Sequence, residues 1–238
     1  VFHPPVFHQI LERHGASVTA AMIFPSLPGD TTARSIRRAV ALDGWAALPR
    51  LVGHAAGHLR AGLFHSPPHS LSAAAVFRRF GVPVFRFRNP NEPACLAQLR
   101  RLEPDVLFNA QPWLLKPPIL GLPRRVSINQ HCGDLQRYRG VEPVLRAMLD
   151  GEQHITMTLH RMTPEYDSGS VLASAVLPMR HSVFATYERA FAAVPALFDR
   201  ALTAVDTVVP PPAAAGRYFG PVTDDERRRF RALGLRYL

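Results

Sequence analysis

Residues 127–140 read SINQHCGDLQRYRG. The run closes the strand 125–131 and passes into a polar loop bounded by Gly133 and Gly140, the pattern of a strand that ends in a loop. Side chains alternate along a strand, so Asn129 and His131 share one face and Cys132 takes the other. An amide and an imidazole side by side at a strand end can cap backbone groups. They can equally frame a reacting atom. The surroundings decide between the two.

Helix and strand alternate on both sides of this stretch. Pro4 and Pro5 open a helix with Val6, Phe7, Ile10 and Leu11 on one face, ending near Gly15. Residues 16–24 read as a buried strand, 25–35 as a loop, and 36–63 as mostly helical with Ile36, Val40, Trp45, Leu48 and Val52 roughly periodic. A helix (70–80), a strand (82–87), a helix (92–102), a strand (105–110), a Pro-bounded helical turn (113–121) and the strand 125–131 follow. Beyond the loop come a helix (141–150), strands at 154–162 and 170–178, and a long helix (183–205). The reading is an α/β domain over residues 1–207, then a Pro-rich linker and short helical tail over 208–238.

This alternation predicts an α/β fold with an open, mainly parallel, Rossmann-like sheet and helices on both faces. The last two strands, joined by a short loop, are expected to be antiparallel additions. Ligands in open α/β sheets sit at the carboxyl ends of strands. Asn129, His131 and the segment after Ala110 lie there.

Composition supports one sizeable core: 238 residues, 47% apolar and 19% charged. The formal charge is +10, and Lys116 is the single lysine among 28 basic residues. Such a balance permits anionic partners. No segment interleaves Arg with exposed aromatics, so specific nucleic-acid binding is not expected. Cys95 and Cys132 form no CxxC pair, which points to a reduced cytoplasm. No apolar run reaches the roughly 18–20 residues of a membrane span, and no signal peptide is visible. His54 and His58 stand at i, i+4, but only His65 and His69, around Pro67-Pro68, are near, so no metal site is expected.

Three ordered blocks then resemble one family. Asn129-x-His131 leads into Arg137-Tyr138-Arg139-Gly140 and a helix. Met162 to Gly169 contains an Asp two residues before a Gly. Pro104-Asp105-Val106 through Leu115-Lys116-Pro117 precedes both. Together they resemble the folate-dependent formyltransferases, whose blocks run N-x-H-x-S-L-L-P-x-(Y/W)-(R/K)-G and M-D-x-G-x-D-x-G. The resemblance covers residues 80–180. Three departures stand out. The S-L-L-P loop is Gly133-Asp134-Leu135-Gln136. Thr163 and Glu165 replace the first Asp and first Gly of the second block. The strand that opens the family's fold is not read ahead of the first helix, so the expectation is either a truncated sequence or a sheet without that strand.

The resemblance implies formyl transfer from 10-formyltetrahydrofolate, a co-substrate, with no metal. Acyl transfer of this kind needs donors for a developing oxyanion and a route for the amine's proton. Asn129 is the implied oxyanion donor. His131 is a donor and proton carrier held as imidazolium by Asp167, the third catalytic group. The pterin slot is implied between Gln111–Leu115 and Thr163–Asp167, with Gln111, Trp113, Leu114, Leu115, Glu165 and Tyr166 as folate contacts. Arg137 and Arg139 either grip an acceptor carboxylate or phosphate or are solvated. Cys132, on the opposite face from His131, is not expected to act as a nucleophile.

Relatives differ in the acceptor. The initiator-tRNA enzyme carries a further C-terminal domain, the purine-pathway enzyme an N-terminal phosphate site and the hydrolase an N-terminal regulatory domain, none of which this sequence displays. A small-molecule amine is therefore expected: an amino sugar, an amino acid or an intermediate of a specialised metabolite. A homo-oligomer is left open. So are two other readings: diverged acyl or one-carbon chemistry on the same fold, and a non-catalytic protein that binds anions or RNA.

Overall fold

The structure is a computed structural model that describes residues 3–25, 32–53, 56, 72–207 and 216–238. His54, His58, His65 and His69 lie outside the described residues.

The proline pair starts α1 (His3–His14), which buries Val6, Ile10 and Leu11 along one stripe. β1 (Ala21–Ile23) is shorter than expected. Gly15–Ser17 turn in a 3-10 helix, with the Val18 N–H donating to Gly15 O, so the first part of the apolar run never extends. α2 (Thr32–Asp43), a 3-10 turn at Gly44–Ala46 and the helical residues 47–53 (α3) follow. Next are α4 (Ala73–Arg79), capped by the Ser72 hydroxyl, β2 (Val84–Arg86) and α5 (Pro93–Leu102). β3 (Val106–Asn109), α6 (Pro117–Leu120) and β4 (Val126–His131) lead to the quoted loop. After it come β5 (Arg139–Gly140), α7 (Pro143–Leu149), β6 (His154–Arg161) and β7 (Val171–Pro178).

The main sheet has the order β3–β4–β6–β7. β3 and β4 are parallel, while β4–β6 and β6–β7 are antiparallel. β1 and β2 form a separate parallel pair. The sheet system is therefore open and mixed: the strands up to β4 pair in parallel and β6 and β7 are the antiparallel additions that were expected, and these make up too much of it for a mainly parallel sheet. The short link from β6 to β7 has no room for a parallel crossover, which takes a dozen residues or more. α7 packs against the helices Val183–Ala192 and Asp224–Ala232, and β6 follows it in the chain.

Alternation along β3 shows both sheet faces covered. Val106 and Phe108 join the main core with residues of α1, α7 and the helical stretch 183–204, whereas Leu107 packs with Cys95, Leu99, Leu115 and Ile119 from α5, α6 and the turn before α6. The long helix expected over 183–205 is two, α8 (Val183–Ala192) and α9 (Val194–Ala204). Pro195 has no N–H to give and its ring blocks a continuous helix, so it sits in the first turn of α9. Among the described residues, no helix is long and apolar enough to cross a membrane.

Residues 216–238 fold back onto the quoted loop. β8 (Tyr218–Phe219) pairs in parallel with β5, and α10 (Asp224–Ala232) opens with a capping box between Thr223 and Glu226. Phe230 of α10 is fully buried in the main core. The nearly buried Arg146 of α7 bonds to Val141 O, Gly220 O and Glu226, and stacks on Phe219 at 4.8 Å. The tail is thereby fastened to the loop from both sides.

Candidate active site

β4 delivers Asn129 and His131 to one face, and strand register chooses their neighbours. Asn109 of β3, Asn129 and His160 of β6 are partners in register, so three polar side chains stand in one row across the sheet. Asn109 Nδ2 donates to Asn129 Oδ1 at 2.8 Å. Asn129 Nδ2 lies 3.3 Å from both Asp167 Oδ1 and His160 Nε2.

Asp167 closes the row from the loop after β6. Its φ is +47°, a left-handed conformation that Asp tolerates better than most residues. The Gly140 N–H donates to Asp167 Oδ2 at 2.9 Å. A Cβ on Gly169 would overlap the carbonyl of Arg161, so glycine is what lets this loop lie against β6. Asp167 Oδ2 is 3.4 Å from His131 Nδ1, and Oδ1 is 3.6 Å from His160 Nε2. The structure thus brings Asn129, His131 and Asp167 together around one carboxylate.

The second nitrogen of His131 is committed. Its Nε2 lies 2.6 Å from Tyr138 O. A carbonyl only accepts, so Nε2 carries the hydrogen and the lone pair of the neutral ring is at Nδ1, facing Asp167. Gly133 provides the space, because a Cβ there would lie 2.7 Å from His131 Nε2. The departure at this loop position therefore has a structural consequence for the imidazole.

Electrostatics correct one expectation. Burial lowers the His131 pKa, outweighing the Asp167 charge and the Tyr138 bond that raise it. The ring rests neutral, not as imidazolium. Burial would raise Asp167 too, but the polar surroundings of His160 and His131 and the bond from the Gly140 N–H overcome it and bring the carboxyl to about 2. Cys132 is in the main core on the other face, and burial pushes its thiol up, away from any thiolate role.

The expected folate contacts divide into two flanks. Gln111, Trp113 and Leu114 form a turn that continues the Asn109–Asn129 row: Gln111 Nε2 donates to Asn109 Oδ1 at 2.8 Å, and the Trp113 backbone N–H donates to Gln111 Oε1 at 2.6 Å. Trp113 Nε1 donates to Pro25 O. Leu115 is a correction, for it faces the core with Leu99 and Ile119. Asn91, bonded to Leu114 O and the Lys116 N–H, draws the turn onto α5 and turns Leu115 inward. Glu165 and Tyr166 form the opposite flank. Tyr166 is half-exposed and stacks on Tyr218 with ring centroids 5.9 Å apart.

The two arginines, read as gripping an anion or solvated, are both engaged within the protein. Arg139 donates from Nε and Nη2 to Tyr166 O and from Nη1 to Gly216 O, bracing the Asp167 loop against the tail. Arg137 pairs with Glu152 and lies over the Tyr138 ring. Asn109, His160, Gly140 and Tyr218 are site residues that the sequence reading missed. Among the described residues, no cluster of His, Cys, Asp and Glu has the make-up of a metal site.

Residues 53–193 match the protein family described as Formyl transferase. A methionyl-tRNA formyltransferase of Herpetosiphon aurantiacus is 32% identical over 121 residues, which are 50% of this chain and 38% of that protein. The chain thus spans less than half the length of the curated relatives it matches first. Glycinamide ribonucleotide transformylase 1 from Symbiobacterium toebii shares the fold at a TM-score of 0.56 and 18% identity, covering 87% of this chain and 85% of that one. HypX from Aquifex aeolicus, solved in complex with tetrahydrofolic acid, gives a TM-score of 0.51 at 20% identity over 64% of this chain and 27% of its own.

Proposed function

The chain belongs to the formyl transferase family, and from that premise we propose that it moves a formyl group from 10-formyltetrahydrofolate to the primary amine of a small molecule. The observation that carries the reading is the meeting of Asn129 and His131 on one carboxylate, at 3.3 and 3.4 Å from Asp167.

The folate supplies an activated formyl carbon. Asn129 donates from Nδ2 to the formyl oxygen as charge builds on it, and one such donor is typically worth about 2.7–4 kcal/mol. His131, neutral at rest, takes the proton of the attacking amine at Nδ1. Asp167 stays ionised throughout, accepts the new N–H and steadies the imidazolium. The same proton then serves the departing nitrogen. The Gly140 N–H holds Asp167 in place for both steps, and His160 holds the Asn129 amide beside it.

A pteridine requires a flat slot with polar groups at its edge. Trp113 and Leu114 offer the apolar flank beside Asn129, and residues 163–167 the other. The stacked, half-exposed Tyr166 and Tyr218 beside Asp167 favour an acceptor whose amine sits on a compact ring.

The test is to incubate the protein with 10-formyltetrahydrofolate and a panel of amino sugars and amino acids. Release of tetrahydrofolate with gain of one CO by a single amine supports the reading. No transfer to any amine, together with no tetrahydrofolate binding by calorimetry, rejects it.

A further inference from the structure

An amide can donate to an oxyanion only if its nitrogen end faces it, and the two ends of a carboxamide are nearly alike in shape. For Asn129 that choice is dictated from the turn after β3. The Trp113 backbone N–H can only donate, and it reaches Gln111 Oε1 at 2.6 Å. Gln111 must then present Nε2 at its other corner, 2.8 Å from Asn109 Oδ1. Asn109 Nδ2 is therefore a donor. A second backbone group agrees, because the carbonyl of Gln111, which can only accept, lies 3.0 Å from it. The other hydrogen of Asn109 Nδ2 goes to Asn129 Oδ1 at 2.8 Å. Asn129 is left with its Nδ2 toward Asp167 and His160.

The bond lengths separate the holding end from the working end. The bonds from Gln111 to Asn129 are 2.8 Å, whereas both contacts of Asn129 Nδ2 are 3.3 Å. The first are well-formed hydrogen bonds, and the second are long enough to be exchanged for an incoming oxygen. Asn109 is buried and in register with Asn129, so little else can take its place.

We propose that Asn109, backed by Gln111, is a positioning residue for the transfer: it locks the N–H₂ end of Asn129 onto the reaction centre and couples that lock to the Trp113 turn. This rests on the formyl-transfer reading of the site.

The test is Asn109→Asp, which keeps the shape and replaces the donor by an acceptor. In that variant Asn129 must turn its N–H₂ toward position 109 and present Oδ1 to the centre. The expected result is a kcat lower by roughly 10²-fold, the scale of one lost oxyanion donor, with KM for the folate within about threefold of wild type. Because the effect runs through Asn129, N109D should cost nothing further in an N129A background. Should N109D fail to fold, N109L takes its place, with a loss of about tenfold in kcat and the same absence of effect in N129A. A purely structural role would lower thermal stability and act additively in the double variant, which would overturn the proposal. So would a folded N109D with wild-type kcat.

A second readout stands apart from activity. In wild type the Asn129 side-chain amide protons should show nuclear Overhauser contacts to the His160 ring, and in N109D to the side chain at position 109. Contacts unchanged by N109D overturn the positioning claim. If wild type forms no product with any amine, the functional reading fails, and these contacts still decide the orientation.

Discussion

His131 holds Nε2 against Tyr138 O at 2.6 Å while Nδ1 lies 3.4 Å from Asp167 Oδ2. The first contact fixes the tautomer, and the second waits for a proton. Because burial lowers the ring's pKa, the resting form is the base. Activity should therefore rise with pH through a midpoint below the ordinary histidine value of about 6.5, then level off before neutrality. Asp167→Asn removes a charge that raises the His131 pKa, so its residual activity should titrate lower still. Profiles of kcat/KM against pH check both, and an acid limb above the ordinary value would contradict the neutral-base assignment.

Gly133→Ala places a methyl group where His131 Nε2 now sits, 2.7 Å from the new carbon. The ring must leave Tyr138 O or the loop must move. Overpacking of this kind typically costs about 1–3 kcal/mol of stability. The loss in kcat should be far larger in effect, on the order of 10²-fold for a misplaced group. Urea unfolding and turnover measured on one preparation separate the two, and wild-type turnover would mean that the tucked imidazole does not matter.

Acid should destabilise the fold in two windows of different origin. Asp167 is depressed from 3.8 to about 2, so its contribution is complete above pH 4 and is lost as pH falls through the folded value. The size is about 2 kcal/mol. His131 works in the upper window. Its folded pKa is lowered, so below about pH 6.5 the unfolded chain takes a proton that the folded ring refuses, and stability falls from there. Asp167→Asn should flatten the lower window and His131→Asn the upper one in urea titrations run from about pH 7 down to about pH 2.

These assignments were legible in the sequence to different depths. Asn129 and His131 could be placed on one face because alternation along a strand is local. Asp167 could be placed only through its block of neighbours, since Asp-x-Gly alone is usually a turn. Asn109 and His160 escaped because their roles depend on register between strands. Asn109 is the polar end of the apolar run VLFN and His160 one of several polar residues in TMTLH, and only pairing with Asn129 sets them in one row. The antiparallel run of β6 and β7 was legible, because the short link between them leaves no room for a parallel crossover. Arg139 was misread since its partners, Tyr166 O and Gly216 O, are carbonyls far along the chain.

His160→Ala tests the outer end of that row. His160 Nδ1 donates to Arg161 O at 2.8 Å, which leaves Nε2 facing Asn129 and Asp167. It also accepts from Asn129 Nδ2, which faces Asp167 as well, and His160 is among the neighbours that depress the carboxyl. Losing it should raise the Asp167 pKa and shift the lower acid window upward. Carbon-13 titration of the Asp167 carboxyl reports this directly, and an unmoved titration would show that His160 does not hold the carboxylate.

The last prediction concerns the tail. Gly216 packs on Leu135 O so closely that a Cβ would overlap it, and the next residues pair β8 with β5. β5 includes Gly140, whose N–H holds Asp167. Gly216→Ala should therefore loosen β8 from β5 and act on the site without touching it. Phe230→Ala, in the core, should instead cost global stability, about 3–5 kcal/mol. The two are told apart by hydrogen exchange at the Gly140 amide. G216A should speed that one exchange and lower kcat while the unfolding midpoint moves little, whereas F230A should lower protection across the whole core. Unchanged Gly140 protection in G216A would mean that the tail packs beside the site without supporting it.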